Sequence, residues 1–369
     1  MSKKILFTGG GSAGHVTLNL TLIPIFQKNG WEVSYIGSEN GIERDIISKL
    51  DKVKYYPIKT GKLRRYFSWK NFSDMLNVPK GIVQAYKIIK KENPDIIFSK
   101  GGFVSFPVVL SGWLNKKKVL MHESDMTPGL ANKMSLPFVS KLFTTFEETQ
   151  NYISELFNQK SKVEYIGPVV SDRLKDGNPD NAITICNLKK EKPIIMIIGG
   201  SLGAKSINNA VRRNLDKLLP KYQIIHICGK GQLDPSQNLQ GYKQFEYVDK
   251  ELKDFMASAD IVISRAGSNS IFELLNLKKP MILIPLPSTS SRGEQSLNAA
   301  VFQRKGYCEV IKDEDLGDNI NFLKTIDSVY KNKSTYISNM ERCKMKSIDN
   351  NQLYEKISKV NFNQVYRGR

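Results

Sequence analysis

The chain has 369 residues, with 55 Lys and Arg against 36 Asp and Glu and a formal charge of +19; it is long for one ordinary domain and suits two. That charge favours polyanionic partners (nucleic acid, anionic lipid or phosphorylated substrates) without choosing among them. Four cysteines without paired spacing point away from a zinc site or a disulfide framework, the longest mostly apolar stretch (103–114) is shorter than the ~20 residues of a membrane span, and no secretory signal precedes the first strand.

In chain order, the apolar run at 5–8 predicts a strand, followed by Gly9-Gly10-Gly11-Ser12-Ala13-Gly14 and a helix near 17–28. A second strand is expected at 32–37, then a helix near 80–91, and further strands at 96–99, 119–122 and 142–145. This alternation predicts a parallel sheet with helices on both faces. The rhythm restarts with a strand at 194–198, the turn Gly199-Gly200-Ser201-Leu202-Gly203 and a helix over 206–218. Strands at 224–228, 261–264 and 281–284 follow. The expected fold class is α/β with two doubly wound domains, 1–166 and 167–344, and a loop-like stretch at 175–181. The last segment, about 345–369, is helical and charged and is expected to return onto the first domain.

The first glycine turn matches G-x-G-x-x-G, a dinucleotide fingerprint. Strand two, however, ends Tyr35-Ile36-Gly37-Ser38, with Glu39 only beyond it, and so lacks the acidic residue that would hold a ribose. A tight turn needing positive φ is the plainer alternative. Three more glycine turns follow strands: one at Lys100-Gly101-Gly102-Phe103-Val104-Ser105, one at 199–203, and one at Arg265-Ala266-Gly267-Ser268-Asn269-Ser270. The first amides of a helix lack intrahelical partners and the helix dipole adds positive potential, so such turns suit anions. In open α/β sheets, ligands bind at these strand ends.

Glu273, just past one turn into its helix, is placed to accept two ribose hydroxyls; its alternative is a helix-dipole partner. Gln295, placed with the 288–294 loop that leads into a helix, suits sugar hydroxyls; its alternative is an ordinary solvated polar residue. Of the three histidines, His226 lies in an apolar strand and reads as a core residue. His15 follows a glycine turn at a helix start, where the dipole disfavours imidazolium, and is a candidate general base near pH 7. His122-Glu123 ends a strand, placed to orient a loop or assist a proton transfer. None of the three has metal-ligand spacing. Lys62, Arg64 and Arg65 interleave with Phe67 and Trp69 in a stretch without acidic residues. That mixture suits an anionic bilayer surface, with Trp113, Leu114 and Lys116–Lys118 as an extension. It also describes a nucleic-acid surface or a solvated basic loop.

Together with His122-Glu123-Ser124 and Arg292-Gly293-Glu294-Gln295, these turns occur in an order that resembles the MurG family across nearly the whole chain. These bacterial transferases add N-acetylglucosamine to undecaprenyl-diphospho-N-acetylmuramoyl-peptide (lipid I). The resemblance implies a GT-B fold, two Rossmann-like domains facing a cleft, with neither cofactor nor metal. It implies UDP-N-acetylglucosamine as donor, a polyprenyl-diphosphate-linked acceptor, and a peripheral place on the cytoplasmic face of an anionic membrane without nucleic acid. The biological setting would be peptidoglycan synthesis, cell shape and division. By resemblance, Ser201 with Ser268, Asn269, Ser270 and Glu273 holds diphosphate and ribose, and the main chain of Val248 meets uracil. Glu294 and Gln295 meet the sugar, which Ser12, Ala13 and Gly14 border from the first domain. His15, His122 and Glu123 form the catalytic set. Two departures stand out: Ser171 replaces an arginine that Arg173 is near enough to substitute, and Asp125 stands where many members have Asn. The implied reaction is an inverting single displacement, with His15 as base and helix-start amides stabilising the departing diphosphate. Rival readings are another GT-B UDP-sugar enzyme (a 2-epimerase or glycolipid synthase), a dinucleotide-dependent oxidoreductase, and a nucleic-acid-binding protein supported by charge alone.

Overall fold

The structure, a computed structural model, describes residues 2–61, 69–157, 162–170, 172–200, 203–287 and 291–360. Lys62, Arg64, Arg65, Phe67, Ser171 and Ser201 lie outside the described residues, as does the side chain of Trp69. The chain divides into two compact units, Met1–Val169 with Lys346–Arg369, and Val170–Met345.

The first unit is built on a parallel sheet of seven strands: β1 (Lys4–Thr8), β2 (Glu32–Ser38), β3 (Val53–Ile58), β4 (Ile96–Ser99), β5 (Lys118–Glu123), β6 (Lys141–Thr144) and β7 (Val163–Tyr165). Their spatial order is β3-β2-β1-β4-β5-β6-β7. The central strands are buried on both faces, which is why Ile5-Leu6-Phe7 and Ile96-Ile97-Phe98 are continuous apolar runs rather than alternating ones. Ile5 pairs with Val33 on one side and Ile96 on the other. One face packs Phe7 edge-on against Phe26, 5.6 Å between ring centres, and against Phe98. The tail helix Asn350–Ser358 docks on that face through buried Leu353 and Ile357. Tyr354 meets Phe26 edge-on at 4.7 Å. Each such burial contributes about 1.5–3 kcal/mol. A capping box at Asp349 and Gln352 starts this helix. Where the tail enters, Gly167 has φ +78°, and a Cβ there would lie 1.7 Å from Lys346 O.

The second unit holds a six-stranded sheet: β8 (Ile194–Ile198), β9 (Gln223–Ile227), β10 (Tyr242–Phe245), β11 (Ile261–Ser264), β12 (Met281–Leu283) and β13 (Cys308–Val310), again all parallel. The order is β10-β9-β8-β11-β12-β13. Each sheet therefore reverses its winding at its centre, between β1 and β4 in one unit and between β8 and β11 in the other.

Several boundaries differ from the sequence expectation. β3, β7, β10 and β13 were not foreseen. The helix expected near 80–91 spans Trp69–Glu92 and passes through Pro79. The helix expected over 206–218 is two, Lys205–Arg213 and Leu215–Leu218. They part at Asn214, whose buried amide donates to Ala210 O and Asn319 Oδ1. The loop-like 175–181 stretch ends at Asn178, which caps a helix Pro179–Cys186 by accepting from Asp180 N at 3.0 Å. Gln295 belongs to the first turn of the helix Glu294–Arg304 rather than to the preceding loop.

Candidate active site

At the first switch point, the turns after β1 and β4 are pressed together. Gly10 N donates to Gly101 O at 3.3 Å. Gly102 has φ +88°, and a Cβ there would lie 2.0 Å from Gly10 O; one on Gly11 would lie 2.3 Å from the Phe103 ring. Glycine is needed here for backbone approach as well as for positive φ. A residue that the sequence reading passed over also fills this turn. Glu43, fully buried, accepts from Gly11 N at 3.2 Å, from Ser38 N at 3.0 Å and from Ser38 Oγ.

Ala13–His15 form a short 3-10 turn ahead of the helix Thr17–Lys28, with Ser12 and Gly14 exposed and His15 half-buried. His15 Nδ1 lies 3.2 Å from Lys100 O. A carbonyl can only accept, so Nδ1 carries a proton, and in the neutral ring the lone pair is then on Nε2.

At the end of β5, His122 and Glu123 are buried. Glu123 accepts from Asp125 N (3.0 Å), Gly129 N (3.2 Å) and Asn132 Nδ2 (2.8 Å). It thereby shapes the loop that carries Asp125. Burial, with the Asp125 charge beside it, pushes the Glu123 carboxyl up. His122 Nδ1 faces Lys100 Nζ at 2.9 Å, and Nε2 faces Thr145 Oγ1 at 3.4 Å. Burial and the Lys100 charge hold the His122 ring well below its ordinary range, so it is neutral. Both residues, expected in the catalytic set, are thus buried, whereas His15 is half-buried beside exposed Ser12 and Gly14.

At the second switch point, Gly200 (φ +96°) and Gly203 (φ +74°) shape the turn after β8; a Cβ on Gly203 would lie 1.9 Å from Cys228 O. After β11, Arg265 is pinned by Asp313 Oδ1 and Ser206 Oγ and by the carbonyls of Ile284 and Pro285. The helix Ser268–Asn276 then begins from Gly267, with no side chain capping it. Ser268 is buried, Asn269 exposed and Ser270 half-buried. Glu273 lies one turn further on with Arg173 Nε at 4.0 Å. Burial raises its carboxyl and Arg173 opposes the rise. Val248 is half-buried in the loop after β10. Gln295 Oε1 accepts from Leu286 N at 3.1 Å, and Glu294 Oε2 accepts from Arg292 N at 2.9 Å.

His226 is a core residue, with Nδ1 on Tyr242 Oη and Nε2 on Asn208 Oδ1, each 2.9 Å. Among the described residues no cluster of His, Cys, Asp and Glu is placed to hold a metal ion, and no helix is long and apolar enough to cross a membrane. Trp113 and Leu114 are exposed at the end of the helix Ser105–Leu114. The helices that flank it expose Val83, Leu130 and Met134.

Residues 5–144 match the glycosyltransferase family 28 N-terminal domain and residues 194–353 its C-terminal domain. The UDP-N-acetylglucosamine–N-acetylmuramyl-(pentapeptide) pyrophosphoryl-undecaprenol N-acetylglucosamine transferase of Geobacillus kaustophilus is 54% identical over 343 residues, 93% of this chain and 94% of its own length. The enzyme of the same name from Clostridium botulinum (strain Kyoto / Type A2) is 54% identical over 344 residues, covering 93% and 95%. Among solved structures, Acinetobacter baumannii MurG superposes with a TM-score of 0.75 at 20% identity, over 97% of this chain and 99% of that one. An epimerase-titled structure from Listeria monocytogenes shares the fold at a TM-score of 0.67 and 12% identity, over 97% and 96%.

Proposed function

The chain belongs to glycosyltransferase family 28 and is a UDP-N-acetylglucosamine-dependent glycosyltransferase, and on that premise we propose how its residues carry the reaction. It moves N-acetylglucosamine onto undecaprenyl-diphospho-N-acetylmuramoyl-peptide, giving lipid II for peptidoglycan synthesis. In this reading His15 Nε2 takes the proton of the acceptor 4-hydroxyl. The freed oxygen attacks the anomeric carbon from the face opposite UDP, the bond from that carbon to the diphosphate oxygen breaks, and UDP leaves with the electron pair. The product is a β-1,4 link.

The donor belongs to the second unit. Gly199–Gly203 with Ser201, and the uncapped start at Ser268–Ser270, supply amides for the diphosphate. Glu273 accepts the ribose hydroxyls, Arg173 or Ser171 lies near the diphosphate, Val248 meets uracil, and Glu294 and Gln295 meet the sugar. Ser12, Ala13 and Gly14 border the sugar from the first unit. The observation that most supports this reading is the His15 hydrogen bond to Lys100 O, which puts a proton on Nδ1 and leaves Nε2 as the basic nitrogen of the neutral ring. Release of UDP from labelled donor, measured with and without a soluble polyprenyl-diphosphate acceptor, tests it. Release should require the acceptor; turnover of the donor without it would favour an epimerase.

The acceptor is lipid-linked, and we place the protein peripherally on the cytoplasmic face of the membrane. The basic–aromatic stretch of Lys62, Arg64, Arg65, Phe67 and Trp69 would engage anionic lipid rather than nucleic acid. Exposed Trp113 and Leu114 extend an apolar surface on the same unit. Each cation near an anionic bilayer is worth about 1 kcal/mol. Replacing Arg64 and Arg65 with Ser should weaken sedimentation with anionic vesicles, and unaltered sedimentation would remove these residues from the membrane surface.

A further inference from the structure

A lysine buried this deeply needs a reason beyond packing. Lys100 is 2% exposed, and burying an ammonium is costly unless it is paired and hydrogen-bonded. Methionine would fill nearly the same volume without that cost. The Lys100 amine donates to His122 Nδ1 at 2.9 Å and to Ser124 Oγ at 2.8 Å, both at the end of β5. Its amide donates to Thr8 O at 2.9 Å, at the end of β1, and its carbonyl faces His15 Nδ1. One residue thus joins three strand ends.

The two residues after it make the anchor necessary. Gly101 (φ +100°) and Gly102 (φ +88°) are both left-handed, and a glycine pair resists reorientation poorly. A carbonyl leading into such a pair holds a direction only if something fixes its residue. The protons are consistent along the whole path. Lys100 only donates, so His122 accepts at Nδ1 and carries its proton on Nε2, facing Thr145 Oγ1. Lys100 O only accepts, so His15 carries its proton on Nδ1.

We propose that Lys100 is the positioning residue of the His15 base: its buried amine clamps the β4 turn to the end of β5, and its carbonyl thereby holds His15 in the tautomer with a basic Nε2. This rests on the reading of His15 as the proton acceptor. Without the clamp, the imidazole samples the tautomer protonated at Nε2, which cannot take a proton from the acceptor hydroxyl.

The test is the full-length Lys100→Met variant, followed by turnover and by nitrogen-15 histidine spectra, in which three histidines are readily resolved. The wild type should show His15 protonated at Nδ1 and His122 at Nε2. In Lys100→Met, His15 should become a mixture of tautomers. Turnover should fall by roughly tenfold to 10²-fold, the range for a misplaced catalytic group, while KM for UDP-N-acetylglucosamine stays within about twofold. Ser124→Ala keeps the lysine and removes one acceptor. It should shift the same resonances with a smaller loss, and it carries the test if the methionine variant does not fold. His15→Asn separates the two readings. If it retains turnover, the assignment of the base is wrong. If it is inactive while Lys100→Met, or Ser124→Ala in its place, keeps the wild-type tautomer and rate, only the positioning role is overturned.

Discussion

At the first unit's switch point the Gly11 amide ends on the buried carboxyl of Glu43, whereas at the second unit's the helix from Ser268 starts at Gly267 with no side-chain cap hydrogen bond among the described residues. Both places share one local plan of strand, glycine turn and helix at the reversal of a parallel sheet. In the first, glycines let two backbone turns approach, and charged side chains, Glu43 and Lys100, hold them. In the second, a Cβ on Gly267 would meet nothing within 4 Å, and its φ of −67° suits any residue. On the proposed reading, one topology serves as a rigid mount for a base in one unit and as an anion seat in the other. It also sets the G-x-G-x-x-G match apart from a dinucleotide site: an internal side chain, Glu43, already accepts from a turn amide there.

The largest effect that tests this contrast is on stability. Gly102→Ala would drive its Cβ to 2.0 Å from Gly10 O at positive φ. It should lower unfolding free energy by more than about 3 kcal/mol in chemical denaturation, as expected of backbone overlap. A Gly102→Ala protein of wild-type stability would show the first turn to be as loose as the second.

A second effect concerns the clamp. Burial pushes the Lys100 amine down to about 8 from its ordinary 10.5. Between those values the unfolded chain holds the proton that the folded chain has released, so unfolding free energy rises with pH across that window. Relative to Lys100→Met, the wild type should gain up to about 3 kcal/mol from pH 8 to 10.5. A constant difference across the window would mean that the amine is not desolvated.

The smallest expected stability change is at the other switch point. Gly267→Ala at this N-cap should cost no more than about 1 kcal/mol, yet weaken UDP binding by roughly tenfold, equivalent to one interaction of about 1.4 kcal/mol. Unchanged UDP affinity would leave the open space at Gly267 without a ligand to explain it.

The sequence discloses the sheet centres and hides their margins, for a physical reason. All nine strands anticipated are interior ones, marked by runs such as Ile194–Ile198 that are apolar because both faces are covered. The four missed from the two large sheets, β3, β7, β10 and β13, are their edges. Cys308-Glu309-Val310 alternates apolar with polar, and Tyr242-Lys243-Gln244-Phe245 places two adjacent polar residues in a four-residue strand, so neither reads as a continuous apolar run. Pro79 obscured about the first three turns of the helix Trp69–Glu92, since proline ordinarily ends a helical pattern. At the candidate site, the glycine turns and His15 were legible because their residue types are demanded by local chemistry. Glu43 and the buried amine of Lys100 were not, because the contacts that give them their place, Gly11 N for Glu43 and His122 with Ser124 for Lys100, come from elements distant in sequence.

The most direct measurement is calorimetric titration of His15→Ala with UDP-N-acetylglucosamine, run beside a transfer assay on the same preparation. If the donor belongs to the second unit and the base to the first, donor affinity stays within about twofold of wild type while transfer falls by about 10²–10⁴-fold. Undiminished transfer, or loss of donor binding together with transfer, would contradict that division of labour.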